Sequence, residues 1–152
     1  MANRFHRGRP APAAAVRLTS RGPAVRSESM ENRDAALHHV QITIPPDRED
    51  MAREFYCETV GFRDVGKPAS LAEQGGLWLS AGSGELHIGI DERFLPGSRA
   101  HVAFLVSDLE GLASRLAAGM YELYWDNALP GFRRFFVTDP FGNRLEFLTP
   151  AA

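Results

Sequence analysis

RFFVTDPFGNRLEFL, residues 134–148, decides how the chain folds. Arg134, Phe136 and Thr138 alternate with Phe135 and Val137, and Leu145 and Phe147 alternate with Glu146, so two short strands each carry one apolar and one mixed face. DPFGN lies between them. Pro140 presets the turn backbone and Gly142 accepts positive φ, which predicts a tight hairpin. Upstream, HVAFLVSD (101–108) alternates as a strand. Asp108 is placed to cap LEGLASRLAAG (109–119), whose Leu109, Leu112 and Leu116 form an apolar stripe ending at Gly119. YELYW (121–125) completes a βαβββ order. The first half of the chain repeats it. LHHVQITI (37–44) puts Val40, Ile42 and Ile44 on one face and His39, Gln41 and Thr43 on the other. Pro45 and Pro46 stop that strand, and Asp47 is the expected cap of a helix through REDMAREFYCETVGF with Met51, Phe55 and Val60 inward and Gly61 at its end. FRDVG, LWLSA and ELHIGI follow as strands, the last two joined at a GSG turn. The predicted fold class is α+β: two paired βαβββ modules, about residues 37–92 and 99–150 of a domain spanning 33–150, forming a cupped mixed sheet around a central cavity.

The chain has 152 residues, 44% hydrophobic and 24% charged, an ordinary balance for a packed core. Its net charge of −2 gives no basic surface to collect phosphates, so nucleic acid is not an expected partner. No run approaches the ~20 apolar residues that cross a bilayer, so no membrane role is expected. Cys57 is the only cysteine, which suits a reducing compartment and makes the cytoplasm the expected location. Residues 1–29 hold six arginines against the single acid Glu28. This Arg-, Ala- and Pro-rich leader, taken as 1–32, is expected to lack fixed structure, and Met30 offers an alternative start.

Superimposing the modules aligns His39 with His101, each opening a first strand and followed by valine. His87 lies 48 residues after His39, and Glu146 lies 45 after His101, both in fourth strands between apolar neighbours. All four therefore share the face opposite the helices. Ionisable groups gathered on a concave face need a compensating charge, and a nitrogen and oxygen set without thiolate suits one divalent Fe, Ni, Co, Mn or Zn ion. His39, His87, His101 and Glu146 are the expected ligands, with His87 alternatively an outer or substrate-contacting group. His38, one residue out of phase, is not an expected ligand. Gln41, Trp78, Arg134 and Phe136 are the expected substrate contacts, Arg134 through an anionic group.

These marks, LHHV, FYCETVGF, AHVAFLV and above all FFVTDPFGNRLEFL, resemble the vicinal oxygen chelate superfamily over roughly Leu37–Pro150. The superfamily contains glyoxalase I, fosfomycin-modifying transferases, bleomycin-resistance proteins and extradiol dioxygenases. The resemblance implies a metal-dependent glyoxalase-like enzyme, usually a homodimer, on which a small substrate chelates through two adjacent oxygens. Lyase, isomerase or dioxygenase chemistry would follow, with Glu146 the carboxylate at the ion and the catalytic group. The alternative is a noncatalytic binding or resistance protein of the bleomycin-resistance kind. Particular members fit less well. Bacterial glyoxalase I carries arginine and asparagine where this chain has Thr43 and Asp91, and fosfomycin transferases carry threonine and lysine where it has Gln41 and Asp126.

Overall fold

The computed structural model describes residues 36–151, so the leader expected over 1–32 lies outside the described residues. In chain order, β1 (His39–Ile44) leads into α1 (Glu49–Arg53), which widens without a break into π turns over Glu54–Val60. β2 (Arg63–Asp64), a 3₁₀ turn (Ala69–Gln74), β3 (Leu77–Ala81) and β4 (Gly84–Ile90) complete the first module. The second contains β5 (His101–Leu105), α2 (Leu109–Ala118), β6 (Tyr124–Asp126), β7 (Phe132–Thr138) and β8 (Arg144–Pro150). Each module forms one four-stranded mixed sheet, in the orders β1-β4-β3-β2 and β5-β8-β7-β6. The first strand runs parallel to the fourth in both, and the remaining pairs are antiparallel. β1 and β5 are thus edge strands.

The predicted register holds. Ile44, Leu86 and Ile88 of one sheet and Phe135, Val137, Leu145 and Phe147 of the other enter a single buried cluster with Phe55, Tyr56, Leu112 and Leu116 from the helices. Helical segments of both modules share this core, so the sheets turn their other faces, those of His39 and His87 and of His101 and Glu146, away from it.

Local details depart from expectation where backbone hydrogen bonding overrules pattern. Asp47 does not cap α1; it takes positive φ of 58°, and the residue ahead of the helix is Arg48, without a side-chain cap. Met51 is 40% exposed, and the inward residues are Ala52, Phe55, Tyr56 and Val60. Ala52, Phe55 and Tyr56 keep ordinary helical spacing, and the π turns bring Val60, five residues after Phe55, to the same side. Gly61 ends the helix at φ 95° as expected, with the Phe62 amide donating to the Tyr56 carbonyl. Asp108 does cap α2, accepting from the Gly111 amide at 2.9 Å. Gly119 keeps a negative φ, and Met120 takes the left-handed turn instead. The strand read at 121–125 forms only over Tyr124–Asp126.

Two junctions tie the modules together. Arg115 of α2 donates to the carbonyls of Thr59 and Val60, satisfying orphan groups at the end of the first helix. In the hairpin turn, Asp139 is 4% exposed; it accepts from the amides of Phe141 and Asn143, and the Tyr56 hydroxyl donates to it at 2.7 Å. Asn143 also donates to the Thr43 carbonyl at 3.0 Å. Gly142, at φ 100°, supplies the positive φ that the turn needs.

Candidate metal centre

Parallel pairing of β1 with β4 sets Gln41 opposite His87 and His39 opposite Glu85, so all four lie on one face. β3 adds Trp78 beside His87. The result is a three-ring stack: the His87 ring lies 4.1 Å from Trp78 at 7° and 4.1 Å from His39 at 11°. His87 is 4% exposed within it. Its Nε2 lies 2.8 Å from Glu85 Oε2, and the His87 hydrogen bond holds the Glu85 carboxyl below its usual range. His39 is exposed, with Nδ1 2.9 Å from His38 Nδ1. Gln41, His39, Trp78 and His87 line one cavity of about 460 Å³.

In the other sheet, β5 beside β8 pairs His101 with Arg144 and Ala103 with Glu146. β7 places Phe136 opposite Glu146. His101 Nε2 lies 3.0 Å from Glu146 Oε2, while the other ring nitrogen, Nδ1, lies 3.1 Å from the Arg99 carbonyl. A carbonyl can only accept, so Nδ1 carries the proton and Nε2 is left facing a carboxylate. That contact requires a second ring proton or a cation between the two atoms. An imidazole nitrogen and a carboxylate oxygen 3.0 Å apart, with no thiolate beside them, are the donor types that borderline divalent ions take. The donor set fits a divalent ion.

Arg134 is committed rather than free. Its Nη1 donates to Glu146 Oε1 at 2.9 Å, while Nε and Nη2 donate to Asp126 Oδ1 at 2.9 and 2.7 Å. These two carboxylates, Glu146 first, raise the Arg134 pKa. The Ala128 amide, then Arg134, hold Asp126 below the usual range. Phe136 sits among these groups, edge-on to His101 at 5.5 Å and 5.2 Å from the Arg134 guanidinium.

The chain brings His39 to His87 and His101 to Glu146 but does not bring the two pairs together. Among the described residues, no three His, Cys, Asp or Glu side chains gather closely enough to hold one ion. The partners that pattern reading passed over are Glu85 and Arg144. Both were within its reach, since they stand two residues before His87 and Glu146 and share their faces.

A duplicated βαβββ fold with histidine and glutamate at equivalent strand positions defines a class of proteins, and comparison identifies it. Residues 36–147 match the family model described as Glyoxalase/Bleomycin resistance protein/Dioxygenase superfamily, and the chain belongs to that superfamily. It is similar to a glyoxalase family protein of Bacillus anthracis at 40% identity and a TM-score of 0.76, over 80% of this chain and 100% of that one. It shares its fold with a lactoylglutathione lyase of Agrobacterium tumefaciens at 16% identity and TM-score 0.60, over 77% and 95% of the two chains. An antibiotic binding protein of Streptomyces sp. CB03234 has the same fold at 21% identity and TM-score 0.60, over 77% and 98%. No curated protein matches the chain. Among the described residues, no helix is long and apolar enough to cross a membrane.

Proposed function

We propose that the protein is a divalent-metal-dependent, glyoxalase-like enzyme whose metal centre is shared between two copies of the chain, one giving His39 and the other His101 and Glu146. The observation that carries the reading is the His101–Glu146 pair: an imidazole whose Nδ1 faces the Arg99 carbonyl and whose Nε2 lies 3.0 Å from a buried carboxylate. Topology supports pairing across copies. β1 and β5 each have a free edge, and both ligand pairs begin there on faces turned away from the core. A twofold axis can set β1 of each copy against β5 of the other, covering both edges and completing two sites in a closed homodimer. Leu105, 69% exposed on β5, would be covered at the same time.

The ligand set in this reading is His39, His101 and Glu146. His87 stays outside it, because imidazole lone pairs lie in the ring plane and two parallel stacked rings offer no common point for an ion. With Trp78 and Gln41, His87 forms the wall of the substrate cavity. A bound divalent ion would supply Lewis acidity to two adjacent oxygens of a small substrate, the chemistry shared by lyases, isomerases and dioxygenases of this kind. Arg134 holds Glu146 Oε1 and leaves Oε2 as the oxygen that binds or carries a proton. The lone Cys57, whose thiol burial pushes up in pKa, fits a reducing cytoplasm.

A second reading rests on the Trp78–His87–His39 stack, a flat aromatic platform suited to holding a planar ligand without metal. Elemental analysis separates the two. The enzyme reading expects about one divalent ion per chain, with His101→Ala and Glu146→Ala each cutting occupancy sharply. Protein that stays metal-free in the presence of Fe, Ni, Co, Mn and Zn supports the binder.

A further inference from the structure

Arg144 lies on the outer face of the second sheet with no carboxylate in salt-bridge reach among the described residues, whereas Arg134 on the same face has two. Arg144 lies over the Phe136 ring at 4.0 Å and opposite His101 across the β5–β8 pair. A guanidinium held over an aromatic face can keep N–H groups free for a forked oxyanion. Arg144 also lines a cavity of about 350 Å³ with Tyr124, Leu123, Phe136, Val137 and Thr138. The cavity is large enough for a small molecule, apolar along one side, with a hydroxyl at Tyr124 and another at Thr138. The neighbouring negative groups are Glu146 and Asp126, both held by Arg134, and the exposed Glu122 at the rim. An anion entering here meets Arg144 as the unmatched charge.

We propose that Arg144 is a substrate-binding residue and that the substrate is a small oxyanion, a carboxylate or a phosph(on)ate, with an apolar body resting on Phe136 and Tyr124. The inference deepens the metal-site reading by naming its substrate class, and it assigns the anion to Arg144 rather than to Arg134. Its test is independent of metal. The full chain, stripped with chelator, is titrated by calorimetry or ligand-observed NMR with benzoate, phenylphosphonate and the neutral benzamide, alongside Arg144→Met and an Arg133→Met control. One or both anions should bind the parent at least tenfold more tightly than benzamide does, and Arg144→Met should lose at least tenfold for that anion with benzamide unchanged; a charge-assisted forked contact is worth that much. The stronger anion tells carboxylate from phosphonate. Arg133→Met should match the parent. Binding of benzamide as tight as that of the anions, no anion binding to the parent, or undiminished anion binding to Arg144→Met would each overturn the proposal. Because every titration is done without metal, none of these results bears on whether His39, His101 and Glu146 hold an ion.

Discussion

The two histidines of the first module carry opposite expectations in the proposed site. His39→Ala should abolish binding of a divalent ion, whereas His87→Ala should lower affinity by no more than the 10 to 100-fold typical of an outer group. Isothermal titration with Ni or Co decides it, and equal loss in both variants would return His87 to the ligand set. The strand phase of the candidate residues was legible at this scale. Alternation places His39, His87, His101 and Glu146 on the outer faces, and the register confirms that phase. What alternation does not encode is which neighbours a side chain chooses. The bond from His87 to Glu85 depends on rotamers, as do the stack on Trp78 and the clamping of Arg134 between Asp126 and Glu146.

At the scale of elements, the contact between the first helix and the second module's hairpin has a measurable signature. Tyr56 is fully buried and donates to Asp139, so Tyr56→Phe removes a partner from a buried carboxylate at a cost of about 1–3 kcal/mol. Burial, then the Asp139 charge, holds the Tyr56 hydroxyl well above the ordinary phenol range. The folded state therefore keeps a proton that the unfolded chain gives up near pH 10. This contribution is complete below about pH 10 and is lost as pH rises further. Thermal melts from pH 7 to 11 should show the parent losing stability above pH 10 more steeply than Tyr56→Phe, and parallel curves would remove Tyr56 as the cause. Leu116→Ala, at a fully buried α2 position, should cost about 2–5 kcal/mol in the same assay. The elements themselves were legible because Asp108, Gly61 and the DPFGN turn announce their ends. The widening of the first helix was not read, although the five-residue step from Phe55 to Val60 encodes it. Met51 misled because α-helical spacing placed an exposed methionine inward.

For the whole molecule, the repeat encodes two modules but not which module meets which. Strand pattern is identical whether a first module faces the second module of its own chain or that of another copy, so the separation of the His39 and His101–Glu146 groups emerges only from the shared helical core. The proposed metal centre is completed between copies, and one measurement addresses that directly. His39→Ala and His101→Ala chains, given different affinity tags, are co-expressed, the mixed dimer is isolated through both tags, and metal per dimer is measured after Ni or Co loading and desalting. Each single-variant dimer should hold essentially none, having lost one ligand from both of its sites. The mixed dimer gathers both lesions in one site and leaves the other intact, so it should hold about one ion, half the parent's load. A mixed dimer with no metal, or an unmixed variant dimer with a full load, would contradict the account.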